Sequence, residues 1–161
     1  MPSNGRFISL VGTCPIAMTP DQIARASVDK MWNSDPARAA SGIELLSVEP
    51  GSARISMRVR PDMLNAHRIC HGGHIFLLAD SAFAYASNAG GVSTVAHHCS
   101  ISFLTPARSG DVLTAHAREV HVVGRTGVYD VSVAAQNGAI IAEFRGLSRA
   151  VPRAPIGADA P

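Results

Sequence analysis

The run Asn65-Ala66-His67-Arg68-Ile69-Cys70-His71-Gly72-Gly73, followed seven residues later by Asp80, holds the residues best suited to chemistry in this chain. Two glycines at a helix start let backbone come close to a ligand. The amides of a first helical turn have no intrahelical acceptor, and the positive end of the helix dipole lies behind them. Such a turn suits an anion or a developing oxyanion. An ordinary glycine loop entering a tightly packed helix would carry the same residues. Asp80 changes that weighing, because it sits between Phe76-Leu77-Leu78-Ala79 and Ala82-Phe83-Ala84-Tyr85. Burying a carboxylate there without a partner is costly. Either it caps or pairs with a neighbour, or it serves as a general base or nucleophile with a raised pKa.

Geometry adds a constraint. Seven residues of helix span about 10.5 Å along the axis. The Gly73 amide and the Asp80 carboxylate of one chain therefore cannot easily grip one tetrahedral carbon. A site using both takes them from two subunits related by a two-fold axis, which makes a dimer obligatory.

Other candidates carry less. His67, His71 and His74 are spaced like metal ligands, but the glycines interrupt any continuous helix, and no metal is expected. His97 and His98 are neighbours on a strand and point to opposite faces. Cys70 beside His71 is read as structural rather than as a nucleophile. Phe76, Phe83 and Tyr85 read first as core. Arg108, Arg125 and Arg145 could meet phosphates at a sheet rim, or be solvated charges.

The elements that must position these residues follow from pattern. The chain has 161 residues, 47% apolar and 16% charged, enough for one globular domain with its own core. We expect a flexible extension over 1–20, a single domain over 21–150 and a flexible tail over 151–161. Fourteen Lys plus Arg against twelve acids give +2, with no basic block, so nucleic acid is not an expected partner. No apolar run reaches the roughly 18 residues of a membrane span. Three unpaired cysteines, Cys14, Cys70 and Cys99, fit a reducing cytoplasm better than a disulfide framework.

Thr19-Pro20-Asp21-Gln22 reads as a capped helix start, and Asn33-Ser34-Asp35-Pro36 as its end. A short helical turn over Ala37–Ala40 stops at Gly42. From Ile43 the period becomes two: Ile43–Val48, the turn Glu49-Pro50-Gly51, then Ala53, Ile55, Met57 and Val59 make a hairpin. The stretch from His74 to Asn88 is apolar nearly all round, which marks a buried helix. Its many Ala and Ser positions let a sheet approach closely. Four strands fit the remainder: Val92–Leu104, Val112–Val122, Gly127–Ala135 and Ala139–Arg149, with a hairpin turn at Asn137-Gly138. The expected class is α+β: a long central helix wrapped by a curved, five- to six-stranded antiparallel sheet. Its uncovered face and edges favour an oligomer.

Asn65…His71-Gly72-Gly73…Leu78-Ala79-Asp80-Ser81-Ala82-Phe83-Ala84-Tyr85-Ala86 resembles the hotdog-fold acyl-CoA thioesterases, in particular the phenylacetic-acid-degradation branch. Phe103-Leu104-x-Pro106, Gly110-Asp111, Thr126-Gly127-Val128-Tyr129-Asp130 and Phe144-Arg145-Gly146 are similar too. The resemblance implies hydrolysis of acyl-CoA thioesters to free acid and coenzyme A, with aryl-acetyl or medium acyl groups preferred. It implies dimers that pair into tetramers, and no cofactor, coenzyme A being part of the substrate. The Gly73 amide would polarise the thioester carbonyl, Asn65 would shape that site, and His71 would orient the loop or bond to the substrate. Asp80 of the partner subunit would activate water or attack the carbonyl. Phe76 or Tyr85 could line the acyl pocket. Some relatives hold the water with a small hydroxyl residue on the strand after the helix. Here that strand reads Ala96-His97-His98-Cys99-Ser100, where His98 could serve. A dehydratase of acyl thioesters and a non-catalytic acyl-CoA-binding protein are the alternatives; a mid-helix aspartate fits hydrolysis better than either.

Overall fold

The computed structural model describes residues 17–152. Most of the two expected terminal extensions, and Cys14, lie outside the described residues. Helix α1 (Pro20–Asn33) opens on Thr19, whose side chain accepts from the Gln22 amide while the Gln22 side chain accepts from the Thr19 amide. That reciprocal cap satisfies two of the three free donors of the first turn, since Pro20 carries no N–H. Helix α2 (Pro36–Ser41) is capped by Asp35 and ends at Gly42, whose φ of 65° a side chain would disfavour.

Six strands form one antiparallel sheet: β1 (Ile43–Glu49), β2 (Ser52–Arg58), β3 (Thr94–Phe103), β4 (Val112–Val123), β5 (Thr126–Ala135) and β6 (Ile140–Ala150). Their spatial order is β1-β2-β4-β5-β6-β3, which leaves β1 and β3 at the edges. Helix α3 (Gly72–Asn88) lies across the concave face and touches all six strands. Leu78, Ala79, Ala82, Phe83 and Tyr85 on α3 are buried against Ile55, Leu113, Val131 and Phe144 of the sheet. Burying such side chains is worth roughly 1.5–3 kcal/mol each for the large ones. This is the α+β hotdog arrangement, with six strands.

Register shifts bend the sheet round the helix at Leu45/Ser47, Ala96/His98, Glu119/His121 and Val133/Ala134. Strand limits differ from the sequence expectation by one or two residues. At the far end of α3, the Asn88 side chain accepts from the Thr94 amide (2.9 Å) and donates to Ala84 O (2.9 Å). Thr94 Oγ1 also donates to Ser87 Oγ at 2.9 Å. These bonds tie the start of β3 to the end of α3, so the edge strand keeps a fixed offset from the helix.

Candidate active site

The loop before α3 is folded by Asn65. Its Oδ1 accepts from the His67 amide at 2.9 Å and the Ile69 amide at 3.4 Å, and its own N–H donates to Ile69 O at 2.9 Å. Arg68 takes up the turn in a left-handed conformation, φ 59°, uncommon for a residue with a side chain. The Asn65 oxygen is thus committed to the loop, and the side-chain amide group remains as donor. Asn65 lines a cleft of about 530 Å³ together with Ile69, Gly72, Ile75, Phe103 and Leu104. A Cβ on Gly72 would lie 3.0 Å from the Phe103 ring, so glycine there is what lets the ring close over the helix start.

His71 is the N-cap of α3, and its Nδ1 accepts from the Gly73 amide at 2.9 Å. That bond requires Nδ1 to be unprotonated, which assigns the ring proton of the neutral form to Nε2. The first-turn donor is therefore present and oriented, and a ring nitrogen holds it.

Asp80 lies two turns further along α3 and is half-buried. Burial pushes its carboxyl above the ordinary value of 3.8, and a hydrogen bond from Cys99 opposes that shift in part. Cys99 Sγ donates to Asp80 Oδ1 across 3.8 Å, from the edge strand β3. Gly73 and Asp80 stand on one continuous helix, about 10.5 Å apart along its axis. The chain by itself does not bring them to one carbon.

The remaining candidates resolve as follows. His98 pairs with Leu147 and is exposed; Cys99, paired with Gly146, is the β3 residue beside Asp80. His97 is the extra residue of the bulge and is exposed too. Cys70 is buried, and burial raises its thiol pKa, as befits a structural residue rather than a nucleophile. Tyr85 is 1% exposed and its hydroxyl donates to Asp35 at 3.1 Å, which uses it to clamp α2 onto α3. Phe83 is equally buried, and Phe76 is half-buried with its edge on Phe144. Arg145 holds Asp130 at 2.6 and 2.8 Å, and Arg125 donates twice to Ala150 O. Arg108 is exposed. Among the described residues, no group of three His, Cys, Asp or Glu could hold a metal ion. The residue that sequence reasoning passed over is Cys99, which only the bulge brings into line with Asp80.

A curved sheet round a helix whose capped, glycine-rich start precedes a half-buried carboxylate is the frame of a thioester hydrolase. The chain belongs to the thioesterase superfamily: that family's model matches residues 67–142. It is 45% identical over 121 residues to the acyl-coenzyme A thioesterase PaaI of Escherichia coli, covering 75% of this chain and 86% of that protein. The solved structure of the E. coli PaaI protein superposes with a TM-score of 0.82 over 83% of this chain and 97% of that one, at 41% identity. A Streptococcus mutans protein solved with acetyl CoA bound matches with a TM-score of 0.67 at 29% identity, covering 69% of this chain and 90% of that one. No helix among the described residues is long and apolar enough to cross a membrane.

Proposed function

We propose that the protein hydrolyses acyl-CoA thioesters of the phenylacetyl, hydroxyphenylacetyl or similar aryl and medium acyl classes, releasing free acid and coenzyme A. The observation that carries this reading is the half-buried Asp80 carboxylate on the same helix whose start orients the Gly73 amide. The acyl-CoA class is supported by the relatives, one a named acyl-CoA thioesterase and one bound to acetyl CoA. The aryl preference rests on the phenylacetic-acid-degradation setting of the E. coli relative.

The thioester carbonyl oxygen replaces His71 Nδ1 as acceptor of the Gly73 N–H, and Asn65 shapes the loop around it. Asp80 of the partner subunit removes a proton from water as the water oxygen attacks the carbonyl carbon. The tetrahedral oxyanion then collapses, the carbon–sulfur bond breaks, and the thiolate leaves to take up the proton. Direct attack by Asp80, with a mixed anhydride later opened by water, gives the same products. Either route needs Asp80 ionised and needs no cofactor.

The exposed edge strand β3, with Val95 52% and Phe103 53% exposed, supports a two-fold partner there, with dimers pairing into tetramers. The free thiols Cys70 and Cys99 are consistent with a cytoplasmic enzyme whose catalytic unit is the single domain 21–150. The test is thiol release from phenylacetyl-, hydroxyphenylacetyl-, hexanoyl-, palmitoyl- and acetyl-CoA. Fast release from the aryl or medium acyl substrates is expected. No release from any of them, with coenzyme A still bound, would overturn the assignment.

A further inference from the structure

The Asp80 carboxylate receives its hydrogen bond from the edge strand and not from its own helix. Three features of the fold put Cys99 there. The bulge at Ala96/His98 resets the alternation of β3. Beyond it, Cys99 pairs with Gly146 and Ile101 with Phe144, on the face that packs against α3. Gly146 has no side chain to hold the helix off: a Cβ there would lie 2.9 Å from the Phe83 ring.

We propose that Cys99 is a positioning residue for hydrolysis: its thiol donates to Asp80 Oδ1, fixes the plane of the carboxylate, and leaves Oδ2 for the water or the carbonyl carbon. This rests on Asp80 being the hydrolytic carboxylate. The thiol is suited to donating and unsuited to attacking, since burial and the neighbouring carboxylate push its pKa up to about 11. A thiolate at this position would face Asp80 charge to charge.

Other titratable groups on the elements packed against Asp80 point elsewhere. On β3, His97 and His98 are exposed. On β6, Glu143 accepts from Ser132 and Arg145 holds Asp130, both on the outer face, while Arg149 is exposed. On β5, the Tyr129 hydroxyl donates to Glu119, and on α1 the Arg25–Asp29 pair and Lys30 lie toward solvent. Beside burial itself, Cys99 is the described group that acts on the Asp80 carboxyl.

The experiment compares kcat/KM against pH for wild type, Cys99→Ala, Cys99→Ser and Asp80→Asn, using the acyl-CoA that the wild type hydrolyses fastest. Cys99→Ala removes the donor, so the acid limb should move to higher pH and kcat should fall about three- to ten-fold, the value of one hydrogen bond from a weak thiol donor. Cys99→Ser retains a donor and should restore both the limb and the rate. Cys99→Val, which keeps the bulk, decides the matter if the alanine variant does not fold. An unmoved profile in the donor-less variants, or a serine variant that fails with them, overturns the role of Cys99 while leaving Asp80 in place. Full turnover by Asp80→Asn overturns the reading of the site, and the role of Cys99 with it.

Discussion

Burial holds the Asp80 carboxyl above its ordinary value of 3.8, because the ionised form loses water on α3 without gaining a cation. The folded chain therefore binds the Asp80 proton more tightly than the unfolded chain does. In the window from the ordinary value up to the raised one, stability falls as pH rises. Above it, the ionised side chain is a standing cost to the fold. In the proposed mechanism catalysis runs the other way, since only the carboxylate can take a proton or attack. Asp80→Asn should lower kcat by about 10²–10⁴-fold, the usual worth of a general base. At pH 7 the same variant should melt no lower than wild type. A clear drop in melting temperature would show that Asp80 is a structural partner and not a buried base. In the wild type, the acid limb of kcat/KM should lie above the ordinary carboxylate range.

Between residues and the whole, the site depends on how closely α3 and the edge strand approach each other. Gly146, on β6 beside Cys99, permits that approach, since Phe83 of α3 occupies the space its side chain would fill. Gly146→Ala should cost about 1–3 kcal/mol through overpacking. It should also reduce turnover by shifting Asp80 from Cys99, measurable as parallel losses in melting temperature and kcat. A variant that loses neither would show that this approach is slack. Much of the arrangement is legible in sequence because its causes are local. Thr19 and Gln22 cap a helix within four residues, and Asn137-Gly138 turns a hairpin by backbone preference. The helix start at His71-Gly72-Gly73 and the lone Asp80 are local in the same sense. The Cys99–Asp80 contact is not, because it depends on a bulge and on a register set across β6. A one-residue shift in β3 would have presented His98 instead.

At the level of the whole molecule, the proposed site takes its two halves from two protomers, because the geometry of one chain does not join them. Gly73 and Asp80 are separated by two turns of one helix, and β3 leaves its outer edge unpaired beside them. In the proposed dimer, a two-fold axis along that edge would meet both conditions at once: it would pair the strand and set one protomer's helix start against its partner's carboxylate. Complementation tests this arrangement most directly. Asp80→Ala removes the carboxylate, and Gly73→Pro removes the donor amide in the first helical turn, where proline is tolerated. Each homodimer should be inactive. Co-expressed at equal levels, random pairing should restore about a quarter of wild-type turnover, because half the dimers are mixed and each holds one intact site. A mixture in which mixed dimers form, yet activity stays at the level of the parents, would contradict a site shared between two protomers.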